Sequence, residues 1–427
     1  MAKFCKYTSA DPQSADLDPQ LDTSQADGPT ATIGVGCRLH TLAATFKKLG
    51  VTIPHGECPL VGIGGHIQTG GFGHILRSYG LAMDRVVSGE DLFWAILGGG
   101  PGSWGVTTHY TFRVIQNPKV WGYKHAFVYQ ASVFKAAMKH MRLWMEDLQN
   151  HATGAATVPS SLDLFITIRT GDRWWQPNVF LLEMADTNPP ANGINPYLNV
   201  VIEDVRKATS GLGSLIDWLL PEFQGTMNIA ELNFRFVRSA AKGSVTKDGR
   251  EFPHPYKKRI NAYSHALTEG FINALSDAID DLHEDKNLRL LLQSMVLGGA
   301  YQTLPTNSQR ALPHRNSTCF VVFDVFYVGD AGKTSAEAMQ QRVTNILNEH
   351  SVAGDRIRLW WGSYGDTDLN NVWQYYYGTQ ATYDRARCIK RKYDEGNLFA
   401  TPFNTPVGPK ELCDAMPLHE LPRHEEL

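Results

Sequence analysis

Gly56-Glu57-Cys58-Pro59-Leu60-Val61-Gly62-Ile63-Gly64-Gly65-His66-Ile67-Gln68-Thr69-Gly70-Gly71-Phe72-Gly73 is the most informative run of the chain. Glycines lack a Cβ and let backbone N–H groups approach an anion or a planar ring closely, so such a loop can cradle a diphosphate or a flavin. Taken alone, the run also reads as a structural turn between strands. It is not the dinucleotide fingerprint, because no GxGxxG here follows a strand and opens a helix with an acidic residue about 20 positions on. A nicotinamide-binding Rossmann site is therefore not supported. A second cluster, Gly98-Gly99-Gly100-Pro101-Gly102, follows the apolar stretch Asp91 to Leu97, and there too the backbone matters more than the side chains.

Working outward, Thr32-Ile33-Gly34-Val35-Gly36 reads as a short strand ending in a turn. Leu39, Leu42, Phe46 and Leu49 recur at helical spacing, with Gly50 as the stop and a strand at Val51 to Pro54. Residues 8 to 30 are rich in Asp, Ser, Gln, Pro and Thr and read as a mobile arm, which puts the start of the folded part near Ala31. Beyond Pro118 the pattern changes. Val133 to Leu148 repeats apolar residues every three or four positions, Leu164 to Ile168 and Val179 to Leu182 read as strands, and Phe320 to Val328 is the strongest strand. Thr334-Ser335-Ala336-Glu337 resembles a capping box that opens a helix running to about Glu349. Strands covered by helices, without regular βαβα alternation, indicate an α+β fold. The last ten or so residues read as frayed.

The 427 residues imply two or three domains at roughly 100–200 residues each. With 43 acidic against 40 basic side chains, the formal charge of −3 offers no general attraction to nucleic acid or an anionic membrane. Hydrophobic residues at 43% are enough to close a large core, and no apolar run approaches the ~18 residues of a membrane helix, so the chain reads as soluble and globular. Cys5, Cys37, Cys58, Cys319, Cys388 and Cys413 are scattered without CxxC pairs, which suggests neither a zinc site nor a disulfide scaffold. The first residues hold no apolar stretch like the core of a secretory signal, giving the cytoplasm as the default location.

Four blocks in order now matter together: GECPLVGIGGHIQTGGFGHILRSYGLAMDRVV at 56–87, DLFWAILGGGPGSWGVTTHYTFRV at 91–114, Tyr376-Tyr377-Gly378, and Lys392-Tyr393-Asp394-Glu395-Gly396-Asn397-Leu398-Phe399. This arrangement resembles the flavin-dependent oxidases of the berberine bridge enzyme-like group, of the vanillyl-alcohol oxidase and p-cresol methylhydroxylase (PCMH) type. The resemblance implies a two-domain architecture. An FAD-binding domain is built from residues 31–118 and 370–410, an antiparallel-sheet substrate domain of residues 119–369 is inserted between them, and a tail follows at 411–427.

The resemblance further implies that Gly62, Gly64, Gly65, Gly70, Gly71 and Gly73 form the backbone cradle for FAD, with Val106 and Thr107 adding contacts. Asn397 matches an Asn near the flavin, and its residue type reads as a turn cap as well. Cys58 matches the cysteine that some members bond through sulfur to the flavin ring; an ordinary packed cysteine is the alternative. In Trp361-Gly362-Ser363-Tyr364-Gly365-Asp366, Tyr364 matches a tyrosine beside the flavin that can take a proton from a substrate hydroxyl as hydride leaves for the flavin. A packed strand aromatic is the alternative for Tyr364. His66 and His109 read as structural.

Members of the group also carry, ahead of the segment equivalent to Ala31, a folded unit with the FAD pyrophosphate loop and a histidine linked to the flavin methyl group. The chain as written shows no counterpart to it, and a second gap falls between Val87 and Ser88. Both imply an incomplete flavin domain with weakened FAD affinity. The implied function is an FAD-dependent oxidoreductase that oxidises a small-molecule alcohol or related carbon and passes electrons to oxygen. A flavin-free relative that binds a small molecule or a partner without redox chemistry is the second reading.

Overall fold

The computed structural model describes residues 20–25, 27–87, 91–100, 102–151, 157–170, 178–191, 193–211, 221–244, 254–263, 265–303, 311–312, 315–350, 358–359, 376–400 and 405–416. The first region comprises β1 (Gln20–Asp22), β2 (Thr30–Gly34), α1 (Leu39–Leu49), β3 (Val51–Thr52), α2 (Ile63–Gln68), α3 (Leu76–Tyr79), α4 (Asp91–Ile96), β4 (His109–Arg113) and β5 (Ile115–Gln116). Helix α1 forms because Leu39, Leu42 and Phe46 share a buried face, and it stops where Gly50 turns left-handed at φ 68°. Strands β1, β2 and β4 make a three-stranded antiparallel sheet, and β3 pairs with β5. The expected arm through residue 30 is thus corrected: Leu21 pairs with Ala31, so backbone hydrogen bonding holds a segment whose polar composition gave no sign of it.

The second region comprises β6 (Lys119–Val128), α5 (Ala131–His151), β7 (Leu162–Arg169), β8 (Val179–Asp186), α6 (Pro196–Ala208), β9 (Pro221–Asn228), α7 (Ile229–Ser244), β10 (Tyr256–Tyr263), α8 (Glu269–Glu284), β11 (Leu288–Val296), α9 (Ala300–Thr303), β12 (Cys319–Tyr327), α10 (Gly329–His350) and β13 (Arg358–Leu359). Its eight strands form one antiparallel sheet in the order β13-β10-β12-β11-β7-β8-β6-β9. One face is sealed by α5, α6, α8 and α10, which bring Phe134, Val201, Phe271 and Val343 onto Leu164, Leu182, Leu292 and Phe323. Each such buried side chain stabilises by roughly 1.5–3 kcal/mol relative to exposure. The expected capping box does not open α10. The helix starts earlier, at Gly329, and Thr334 lies inside it with its hydroxyl donating to the Asp330 carbonyl.

Because side chains alternate across a strand, the second face of the large sheet shows Phe165, Ala262, Met295, Phe320 and Val322, and these pack with Ile33, Leu42, Ile67 and Leu81 of the first region. Arg315, just ahead of β12, pins the same junction by forking onto the buried Asp84 carboxylate. Two last helices, α11 (Gln380–Tyr393) and α12 (Lys410–Asp414), return to the first region, where Tyr376, Tyr377, Ala386 and Ile389 pack on Trp94 and Trp104. Cys388 and Cys413 join α11 to α12 as a disulfide with Cα atoms 5.1 Å apart. This corrects the reading of the cysteines as unbridged: a separation of 25 residues carries no motif, and only the return of the chain to α11 brings the two together.

Candidate active site

The first glycine segment is held mainly by its own neighbourhood. The Gly56 N–H donates to His66 Nε2 at 3.1 Å, and His55 Nδ1 donates to the Gly56 carbonyl at 2.9 Å. Burial drives the His66 imidazole down to about 3 and that of His55 to about 4, so both stay neutral supports at ordinary pH. The six glycines expected to cradle FAD serve different needs. A Cβ on Gly73 would lie 1.8 Å from the His55 carbonyl oxygen, one on Gly71 (φ +75°) 2.6 Å from Ala82 Cβ, and one on Gly64 3.2 Å from Val35 Cβ. Close packing within the protein therefore demands those three, and Gly70 adopts φ +111°. At Gly62 and Gly65 a Cβ would meet nothing within 4 Å, and both are exposed, so these two open toward a ligand. The opening suits a ring better than a phosphate, because the first amides of α2, those of Ile63 and Gly64, already donate to the Cys37 and Val35 carbonyls at 2.8 and 3.2 Å.

Gln68 ties this segment to the second cluster. Its carbonyl accepts from the Gly98 N–H at 2.9 Å, its side-chain oxygen from the Gly102 N–H at 2.9 Å, and its amide donates to Thr107 Oγ1 at 3.3 Å. Val106, next to Thr107, leaves 81% of its surface uncovered, unusual for so apolar a side chain in a site framed by backbone. Tyr376 and Tyr377 of the third block are buried and donate to the Gly98 and Gly99 carbonyls, each at 2.6 Å. Burial pushes both phenols far above their ordinary range. They fasten the C-terminal part onto the cluster. Lys390 completes the fastening by donating to the Ser103 carbonyl (2.6 Å), the Phe399 carbonyl (2.9 Å) and Asp394 (2.5 Å). Asn397 lies in the exposed turn just past α11 at φ 53°, the left-handed conformation that Asn tolerates. Tyr364 and Tyr375 lie outside the described residues.

Cys58 stands half-buried in the turn before α2, outside any disulfide. Its neighbour Glu57 leads to a group of residues that sequence reasoning missed. Gln293 on β11 donates to Glu57 Oε1 at 2.9 Å, and the Lys124 ammonium on β6 lies 3.5 Å from Glu57 Oε2 and 2.6 Å from Glu183 Oε1 on β8. His74 Nε2 stands 3.1 Å from Glu183 and 3.7 Å from Glu57, its ring stacked on Phe236 with centroids 3.7 Å apart. Thr167 on β7 donates to Glu183 Oε2 at 3.0 Å. Burial, and then the Glu183 carboxylate, push the Glu57 carboxyl upward against the pull of Lys124 and His74. Burial also opposes the Glu183 charge, but Lys124 and His74 outweigh it and hold that carboxyl below its ordinary range. Glu57, His74 and Glu183 have the donor types of a metal site, with ligand atoms within 4.8 Å of one another. Lys124 already supplies the cation between the two carboxylates. Asp324, buried on β12, belongs to the same face.

A family model described as FAD binding domain matches residues 17–92, and one described as berberine and berberine like matches residues 363–406. Both matches point to the same relatives: the chain is similar to the berberine bridge enzyme-like FAD proteins. The FAD-binding match begins ahead of Ala31, in agreement with the pairing of β1. The chain is 22% identical to glucooligosaccharide oxidase of Sarocladium strictum, over 90% of its own length and 76% of that protein. It is 34% identical to berberine bridge enzyme-like 5 of Arabidopsis thaliana, over 23% of its own length and 22% of that protein. A solved structure of glucooligosaccharide oxidase from Acremonium strictum, reported with 6-S-cysteinyl, 8α-N1-histidyl FAD, superposes with a TM-score of 0.68 at 19% identity, covering 92% of this chain and 81% of that one. The fold is thus the PCMH-type α+β architecture, and its cofactor is FAD. The residues present suit the ring end of that cofactor: Gly62 and Gly65 open outward, and an uncovered Val106 stands beside Thr107.

Proposed function

We propose that this protein is an FAD-dependent oxidase that converts a hydroxyl-bearing carbon of a small molecule, foremost a sugar, to the carbonyl level, with dioxygen as the electron acceptor. The observation carrying this reading is the docking of the Cys58 segment onto a buried polar cluster of the eight-stranded sheet, through Glu57, Gln293 and Lys124. That junction sets Cys58 between the outward-opening Gly62 and Gly65 and the substrate-domain sheet. A bound flavin supplies the acceptor for the hydride and hands two electrons to dioxygen. Gly62 and Gly65 would let the backbone approach the ring, Val106 would lie against it, and Cys58 would anchor it through sulfur, the thiol adding across the oxidised ring and dioxygen then taking up the two electrons and two hydrogens as hydrogen peroxide. Tyr364 takes the proton from the substrate hydroxyl. The sugar preference rests on the oligosaccharide oxidase that matches over most of the chain. The disulfide Cys388–Cys413 favours an oxidising compartment over the cytoplasm.

The visible spectrum of the purified protein, before and after acid precipitation, is the first test, followed by oxygen uptake with a panel of oligosaccharides and aromatic alcohols. A colourless protein that stays colourless with added FAD removes the oxidase reading and leaves the flavin-free one. With flavin present, Tyr364→Phe should lower turnover by roughly 10²–10⁴ at unchanged flavin content. Turnover close to the parent's would take the base assignment away from Tyr364.

A further inference from the structure

Cys58 occupies a short turn whose flanks are fixed from three directions. On one side Gly56 is bonded through both its N–H and its carbonyl to His66 and His55. On the other, the Pro59 carbonyl accepts from the His40 N–H at 3.1 Å and from His40 Nδ1 at 2.8 Å, at the start of α1. The third tie is the only one of these that leaves the first region. Glu57 reaches across to the large sheet, where Gln293 Nε2 and the Lys124 ammonium hold its carboxylate with 10% of the side chain exposed. A carboxylate so enclosed has little freedom, and charge-assisted contacts to groups on a rigid sheet fix it further. The residue one peptide unit away inherits that position.

Resting on the reading of Cys58 as the flavin anchor, we propose that Glu57 is the positioning residue for Cys58, setting where its sulfur stands by tying the turn to Gln293 and Lys124 of the substrate sheet. The tie makes the placement of the sulfur conditional on the docking of the two regions, since neither Gln293 nor Lys124 belongs to the glycine segment. Such placement matters because a displacement on the order of 1 Å at a reacting atom costs about 10²-fold in rate. An internal control exists. Thr167 donates within the same cluster, but to Glu183 and not to Glu57, so a general weakening of the junction and a specific loss of the Glu57 anchor are separable.

The test uses the full chain as purified and two readouts on the Cys58 peptide by mass spectrometry: the fraction carrying acid-stable flavin, and the rate at which unmodified Cys58 in the native protein reacts with iodoacetamide. Glu57→Ala and Gln293→Ala should each lower the flavin-carrying fraction roughly tenfold, the equivalent of one lost hydrogen bond to a charged group. Glu57→Gln, which keeps an acceptor for Gln293 and Lys124, and Thr167→Val should retain it. Should Glu57→Ala fail to fold, Gln293→Ala still decides. A parental fraction in Gln293→Ala, or an equal loss in Thr167→Val, overturns the proposal. If the parent and Cys58→Ala carry the same acid-stable flavin, or none, the anchor reading of Cys58 falls instead. The alkylation rate then decides positioning alone: a roughly tenfold acceleration in Gln293→Ala but not Thr167→Val supports it, and equal rates overturn it.

Discussion

The two glycine clusters look alike in sequence and are held in different ways. The first is supported largely from within: His55 and His66 bond to Gly56, and Gly73 and Gly71 pack against His55 and Ala82, all within one short stretch of chain. The second is supported from a distance, by Tyr376, Tyr377 and Lys390, which reach its carbonyls from the far end of the sequence. Local support makes the first cluster intolerant of a single added atom at Gly71 and Gly73. Remote support makes the second dependent on the docking of α11.

The contrast can be broken most severely at Gly73. With 1.8 Å to the His55 carbonyl oxygen, a methyl group has no room, and Gly73→Ala should leave little folded protein, judged by yield and circular dichroism. Gly65→Ala, with nothing within 4 Å, should keep the parental melting temperature while lowering the bound flavin. A well-folded Gly73→Ala would end the claim of a closely packed first cluster. At the second cluster, Lys390→Met strips donors from the Ser103 and Phe399 carbonyls and should lower the melting temperature by roughly 5–10 °C in calorimetry. An unshifted transition would show that docking does not depend on this ammonium. Tyr377→Phe removes the hydroxyl shared by Gly99 and Thr405 and should cost about 1 kcal/mol, read as a shift of roughly 2–4 °C.

The effect confined to acid pH is a slope belonging to the first cluster. Folded His66 and His55 protonate only near about 3 and about 4, whereas unfolded histidine does so near 6.5. Below pH 6.5 the unfolded chain takes up protons that the folded one refuses, so this stability is complete above pH 6.5 and drains away as the pH falls toward those values. Replacing His66 by Gln should flatten melting temperature against pH between about 6.5 and 4, and Lys390→Met should leave that slope alone. Equal slopes in the parent and His66→Gln would assign the acid sensitivity elsewhere.

Much of the fold was legible in single stretches. Apolar spacing located α1 and its Gly50 stop, the alternating and continuous apolar runs located β7, β8 and β12, and the four blocks pointed to FAD. The capping-box reading of Thr334 failed because a helix that can bury Gly332 and Ala336 extends backward past a local cap. A usable signal for the missed residues was present too. Lys124 in KVWGYKHAFV, Glu183 in VFLLEMAD, Gln293 in LRLLLQSMV and Asp324 in CFVVFDVFY are single polar side chains near the middle of largely apolar strands. A strand buried on both faces rejects such a residue unless it has a partner, so each one announces a buried contact.

The sequence by itself determined many of the strands and helices and where the backbone must pass without a Cβ, because periodicity and steric freedom are properties of neighbours along the chain, while the cofactor class came through the resemblance carried by the four blocks. Tertiary structure alone decided that Glu57 meets Gln293 and Lys124, that Tyr376 and Tyr377 are fasteners, and that Cys388 finds Cys413. Those partners are separated by many residues, and no local rule specifies which polar group will face which. The pairing is fixed only when the burial of two apolar faces brings the strands into register and leaves each buried charge the one neighbour that can satisfy it.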